Sequence, residues 1–316
     1  MMKIGMCVQT ETGFMGSAPP SAQDVLALTK LSEQAGFDSV WIVDHFLYDA
    51  GAEAEALGAN PPPELMGRLC GAWESLTFVA GIAAATERVE IGTLVANTGY
   101  RNPALLARMA ETIDAMSNGR FICGLGAGDF ESEHIFYGFP WARRISRFEE
   151  ALQIIKPMLR GQSVSFDGEF YHTENASLIP KGPRPQGPPI MIGLLKGGPR
   201  MKRLVAQYAD IWNCWLASTN SQPEAYGEPL DAMLAVCEKH DRDPATLERC
   251  VTPRVCPTHL RPEGFDNKPI CGSVDEIADR IRGFEAMGVS HLPVWLWPNN
   301  QASVEAFAPV LEILKQ

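Results

Sequence analysis

The residues best suited to chemistry end a short apolar run. Ser39-Val40-Trp41-Ile42-Val43-Asp44-His45-Phe46 is a β-branched, apolar segment that stops at an acid and an imidazole. Such a run predicts a strand buried on both faces, as in a parallel sheet. Polar groups at the carboxyl end of such a strand lie where α/β folds hold ligands. A neutral imidazole with a pKa near 6.5 can donate or accept a proton at neutral pH, so His45 is the first candidate for acid–base work. The competing role is structural, with Asp44 capping a turn and His45 a satisfied buried ring.

Three further strand ends are unusual. The first is Leu94-Val95-Ala96-Asn97-Thr98. The second is Gly124-Leu125-Gly126-Ala127-Gly128-Asp129, where glycines let a flat ligand lie against the backbone and Asp129 points a carboxylate into the same mouth. This run lacks the third glycine at the proper spacing and the following βαβ acid of a dinucleotide fingerprint. Asp129 has a competing role as a turn or helix cap. Glu131, Glu133 and His134 extend the polar cluster and read as solvated helix residues. The third is Gly193-Leu194-Leu195-Lys196-Gly197-Gly198-Pro199-Arg200, a strand running into Gly-Gly-Pro-Arg at a helix start. Glycine N–H groups and a helix N-terminus favour an anion, to which Lys196 or Arg200 adds charge; a plain tight turn is the alternative.

These ends must be positioned by strands and helices in alternation. Strands are predicted over Lys3–Val8, Ser39–Val43, Val89–Val95, Arg120–Leu125, Ile190–Gly193, Asp210–Trp215, Arg249–Cys256 and His291–Trp297. Helix starts are marked by Ser21 with Asp24, Asn102-Pro103 and Ser273 with Glu276. Gly36, Gly119 and Gly288 mark helix stops. Eight strands, each followed by a helix, is the count of a TIM barrel. No linker divides the 316 residues, so one domain with insertions is predicted over 1–316. The insertions are the 46–72 connection with Pro61-Pro62-Pro63, the 127–147 segment with Phe130, Phe136, Tyr137, Phe139 and Trp141, a hairpin around Asp167-Gly168, and the 258–272 excursion.

Composition narrows the function. A net charge of −11 disfavours nucleic acid and anionic membrane as partners. The eight cysteines include no Cys-x-x-Cys and the six histidines no His-x-x-x-His, so neither a disulfide framework nor a metal site is predicted. Reduced thiols point to a cytoplasmic setting. There is no signal peptide, and no apolar run reaches the ~18 residues of a membrane span.

Taken in order, the chain resembles the bacterial luciferase-like superfamily. The matching segments are Ala35-Gly36-Phe37-Asp38-Ser39-Val40-Trp41 leading to Asp44-His45-Phe46, Ile91-Gly92-Thr93-Leu94-Val95 with Tyr100-Arg101-Asn102-Pro103-Ala104, and Ser117-Asn118-Gly119-Arg120 to Gly128. Glu133-His134, Tyr137-Gly138, Arg147-Phe148-Glu149-Glu150-Ala151-Leu152, Pro189-Ile190-Met191-Ile192-Gly193 and Ala209-Asp210-Ile211-Trp212-Asn213 continue it. The details resemble the F-420-dependent oxidoreductase branch. The resemblance implies a TIM barrel that binds the deazaflavin coenzyme F-420, or alternatively FMN. It implies that Asp44 and His45 lie at the cofactor ring, with His45 handling a proton and Asp129 acting as an acid. It implies a non-prolyl cis peptide at Leu94–Val95 backing the ring, Asn97 near it, and Gly126, Ala127 and Gly128 beside it. Gly197, Gly198 and Pro199 match the phosphate-side loop, with Gly193, Lys196 and Arg200 as further cofactor-binding candidates beside it; Leu194-Leu195-Lys196 replaces the family's commoner glycines.

The primary reading is hydride transfer between F-420 and a small organic substrate. The alternative is a monooxygenase using reduced FMN and O2, with a separate reductase supplying reduced cofactor. A non-catalytic flavin-binding protein ranks third. A carbohydrate-active barrel ranks last, since only Asp129 stands out as a candidate for the two opposed carboxylates. A homodimer is the family expectation.

Overall fold

The computed structural model describes residues 1–11, 20–56, 63–194, 197–257 and 268–316. Eight parallel strands close into a barrel: β1 (Lys3–Val8), β2 (Ser39–Ile42), β3 (Glu90–Thr93), β4 (Phe121–Gly126), β5 (Ile190–Leu194), β6 (Ile211–Trp215), β7 (Glu248–Thr252) and β8 (His291–Leu296). Each pairs with the next, and β1 pairs with β8 to complete the ring. The predicted TIM barrel is thus the observed fold. Around it run α1 (Ala22–Ala35), α2 (Ser75–Ala85), α3 (Pro103–Met116), α4 (Arg144–Leu159), α5 (Pro199–Tyr208), α6 (Gly227–Lys239), α7 (Val274–Ala286) and α8 (Gln301–Leu314).

Local chemistry sets these boundaries. Ser21 and Asp24, and likewise Ser273 and Glu276, form reciprocal capping boxes that satisfy orphan N–H groups at the starts of α1 and α7. Gly36 ends α1 with φ +98°, a left-handed conformation that costs glycine nothing.

Alternation along the strands splits the apolar residues into two cores. On β6, Trp212 and Cys214 join the large core between sheet and helices, whereas Ile211 and Trp215 join the lumen. The lumen is built around Trp41. A Cβ at Gly5 would lie 2.7 Å from its Nε1, and one at Gly92 would lie 2.2 Å from its ring. Those two glycines therefore make room for an indole across a closed barrel. Trp41 Nε1 donates to Ser39 Oγ (2.7 Å), which lies 2.6 Å from His291 Nε2. Ser39 and His291 open β2 and β8, so this polar network sits at the amino end of the barrel.

The structure departs from expectation in three elements. The 46–72 connection is partly ordered: Leu47–Asp49 pairs antiparallel with Leu69–Gly71, and Ala50–Ala56 is helical. The seventh strand is broken at Pro253, which lacks an N–H for the ladder, and resumes as Arg254–Cys256. The sequence also places a helix from Glu224 to His240; it starts as a 3-10 turn, Pro223–Tyr226, before α6. The hairpin is present as Val164–Asp167 against His172–Ala176. Most of the 258–272 excursion lies outside the described residues. Among those described, no helix is long and apolar enough to cross a membrane.

Candidate active site

Asp44 and His45 are adjacent in sequence and serve different ends. The Asp44 side chain is fully buried, and all its contacts are to protein. Arg101 Nη1 and Nη2 donate to its two oxygens (2.7 and 3.0 Å), Ser75 Oγ donates to Oδ1 (2.7 Å), and the Asn97 N–H donates to Oδ2 (2.8 Å). Arg101 also pairs with Glu74, the cap of α2. A buried carboxylate needs this many donors to offset its lost hydration. Through these bonds Asp44 ties the end of β2 to α2 and to the chain after β3.

That chain carries the Leu94–Val95 peptide, which is cis. Its neighbours lie against the glycines. A Cβ at Gly126 would lie 2.6 Å from Val95 Cγ2, and one at Gly193 would lie 3.0 Å from Val95 Cγ1. A Cβ at Gly128, where φ is +84°, would lie 2.4 Å from Asn97 Nδ2. Protein side chains pack against these glycines. Asn97 is buried, its Nδ2 3.1 Å from His134 Nε2 and its Oδ1 accepting from the Gly99 N–H (2.8 Å). Its side chain fixes the turn after β3 instead of reaching the mouth. Ala127 is buried at the end of the same wall.

His45 lies inside a ring of acids. Its Nδ1 is 2.9 Å from Glu133 Oε2. Glu133 also accepts from the Phe46 N–H (2.5 Å) and from the Tyr100 hydroxyl (2.7 Å), and its side chain is 1% exposed. The imidazole stacks on Phe130 at 4.5 Å and tilts against Tyr48 at 5.5 Å. Burial alone would lower its pKa. The charge and hydrogen bond of Glu133, with Glu11 and Asp129 behind them, outweigh that and raise it to about 10. These neighbours push His45 toward its charged form, and 16% of its side chain is exposed.

Two of these acids were not identified as functional in the sequence. Glu133 read as a solvated helix residue, yet it is buried on the short helix Glu131–Tyr137. Phe130, Glu133 and His134 share one helical face, and the phenylalanine was an available sign that this face turns inward. Glu11, three residues beyond β1, is buried, and Tyr48 donates to its Oε1 (3.3 Å). Burial raises its pKa, with His45 opposing. No local pattern marked it. Asp129 reaches solvent, yet the protein around it raises its pKa, with Glu133 adding and His45 opposing. A carboxyl whose charged form is disfavoured and an imidazole at one barrel mouth are groups of the kind that pass protons.

The loop after β5 offers an anion site. A Cβ at Gly198 would meet nothing within 4 Å, and α5 begins at Pro199 with no side-chain cap. The N–H groups of its first turn are thus not occupied by a capping side chain. Gly197 is glycine for packing, since its Cβ would lie 2.9 Å from Leu194. Lys196 lies outside the described residues. Arg200 is not directed to this loop: it donates to Glu149 Oε2 (2.9 and 2.6 Å) and Ser146 Oγ (2.9 Å) on α4, because a carboxylate and a hydroxyl there satisfy its fork. Among the described residues no cluster of three ligating side chains could hold a metal ion. None of the eight cysteines forms a disulfide among the described residues, and seven are buried.

Residues 2–263 match the family model for luciferase-like monooxygenases. The chain belongs to this family. Its relatives include an F-420-dependent glucose-6-phosphate dehydrogenase from Beutenbergia cavernae, 31% identical over 257 residues that cover 79% of this chain and 69% of the relative. Among solved structures, an F-420-dependent secondary alcohol dehydrogenase with an F-420–acetone adduct superposes with a TM-score of 0.77 at 18% identity, covering 100% of this chain and 99% of the other. A riboflavin lyase with modified FMN and riboflavin also gives 0.77, at 13% identity, over 100% and 91% of the two chains. Both structural likenesses concern the barrel. This luciferase-like site fits a planar cofactor with a phosphorylated arm: Leu94 and Val95 form an apolar backing, the His45 cluster stands at the mouth, and Gly198 with the uncapped α5 offers the anion cradle.

Proposed function

We propose that the chain is an F-420-dependent oxidoreductase acting on a small organic substrate. The observation that carries this reading is His45 held by Glu133 at the barrel mouth, in a chain 31% identical to an F-420-dependent dehydrogenase. When bound, the deazaflavin supplies hydride chemistry. The protein's share is orientation and protons. Val95 and the Leu94–Val95 peptide would back the ring, and the Gly197-Gly198-Pro199 turn would hold the phosphate. His45 presents Nε2 to the substrate, and Asp129, open to solvent, exchanges protons with it.

An FMN-dependent monooxygenase is the second reading. The fold match to a protein solved with modified FMN favours it, and the Gly198 cradle would take either phosphate. Oxygen uptake separates the two. Turnover of reduced F-420 with carbonyl compounds at an unchanged oxygen level is the expected result. Substrate-dependent oxygen consumption with reduced FMN and none with F-420 would move the assignment to the monooxygenase.

A further inference from the structure

We infer that Trp215 and Trp295 form the substrate-side wall of the barrel mouth and select a flat, uncharged aromatic compound, such as an aryl ketone or the matching alcohol. The reacting group rests on the proposed oxidoreductase function. The aromatic corner itself rests on geometry alone.

Strand periodicity aims both indoles inward, since side chains two residues apart share a face. On β6, Ile211 belongs to the lumen cluster, and Asn213 and Trp215 follow it on the same face. On β8, His291 meets the Trp41 ring in the lumen, and Trp295 lies four residues on in the same row. Both indoles stand at the carboxyl ends of their strands, where a barrel holds its ligands. β7 separates the two strands, yet the rings meet, 5.4 Å apart and at 89°. They reach each other because Thr252, which pairs with Trp215, is small and buried, and Asn213 Nδ2 donates to its hydroxyl (2.8 Å). β7 then breaks at Pro253, whose carbonyl accepts from the Trp295 N–H (2.9 Å).

The two rings make an open corner. Both are partly buried, and like Val95 they pack on the lumen cluster that contains Leu94. The corner is therefore continuous with the apolar backing proposed for the cofactor ring. In a perpendicular pair one ring is a floor and the other a wall, so a third flat ring can stack on one and meet the other edge-on. Trp215 Nε1 donates to Ser218 Oγ (3.2 Å), which occupies the polar edge of that indole and leaves its face to a ligand.

Charge narrows the class further. A phosphate or carboxylate is recognised by arginine forks and lysines. The ends of β6 and β8 present indoles instead, and Glu11, Glu133 and Asp129 crowd His45 on the other side of the mouth. Arg254, beside Trp295 in the ladder, already has a partner within the protein. An uncharged ring with one polar reacting group suits both halves of the mouth.

The test is ¹⁹F NMR of protein labelled with 5-fluorotryptophan, without cofactor and with F-420 or FMN added. Single Trp→Phe variants assign the signals among the seven tryptophans. The ligands are acetophenone, cyclohexyl methyl ketone (the same skeleton with a saturated ring) and glucose 6-phosphate. Acetophenone should shift the Trp215 and Trp295 signals and leave that of Trp41, 1% exposed in the lumen, in place. Cyclohexyl methyl ketone should bind about two- to tenfold more weakly, the worth of an aromatic contact, and glucose 6-phosphate should move neither signal. Trp215 and Trp295 unmoved by acetophenone in all three states, equal affinity for the two ketones, or movement by glucose 6-phosphate overturns the inference. The wild-type ketone comparison decides where a variant fails to fold. Indole shifts without F-420 binding would remove the redox assignment and keep the aromatic site; F-420 binding with unmoved indoles would do the reverse.

Discussion

Two histidines sit at opposite ends of the same barrel and reach opposite states. His291, at the amino end of β8, meets Ser39 and the Trp41 edge. Burial, helped by the Lys3 charge, lowers its pKa to about 3, so it is neutral. Ser39 Oγ accepts from Trp41 Nε1 and turns its own hydrogen toward His291 Nε2, a pattern that suits a neutral ring. His45, at the carboxyl end of β2, is desolvated too, but Glu133, Glu11 and Asp129 reverse the effect. Burial is common to both; the neighbouring carboxylates decide the charge. One histidine finishes a core and the other is poised for proton transfer.

The largest expected effect separates the two by activity. His45→Ala should lose about 10²–10⁴-fold in turnover, the usual share of a positioned acid, while cofactor affinity changes only a few-fold. Steady-state kinetics with a parallel binding titration measures both; full activity would remove His45 from the mechanism. His291→Ala should do the reverse. Turnover per folded molecule should persist, while stability falls by about 1–3 kcal/mol because Ser39 loses its partner in a sealed site. Urea unfolding reads this.

The pH dependence of stability offers a subtler contrast. For His45 the folded-state pKa is raised from 6.5 to about 10, so its stabilisation is complete below about 6.5 and is lost as pH climbs toward 10. For His291 the folded-state pKa is depressed to about 3, so stability falls as pH drops from about 6.5 toward 3. Unfolding curves should show each slope vanish in the matching single variant; the same slope for both would erase the contrast. The smallest effect is expected for Tyr100→Phe. It removes one of three donors to Glu133 and should cost less than about tenfold in turnover, with the fold unchanged.

Much of this was legible in the sequence because it is local. Capping pairs, glycine stops and β-branched runs placed the strands within a few residues, and the strand count implied the barrel. His45 and the Leu94–Val95 peptide were located by position at strand ends. What escaped was long-range. Glu133 and Glu11 reach His45 from other strand ends, and no spacing rule joins residues across a barrel mouth. Gly126 and Gly128 were singled out, but their packing against Val95 and Asn97 was not, since these side chains meet them only once β3 and β4 are side by side. Arg200 shows the same limit: its charge was visible in the sequence, while its pairing with Glu149 across α4 and α5 was not.

The most direct measurement of the central claim is a cofactor titration of the purified protein. Binding of F-420 at micromolar affinity or tighter, with FMN much weaker, is the predicted result. Tight FMN binding with weak or absent F-420 binding would contradict it.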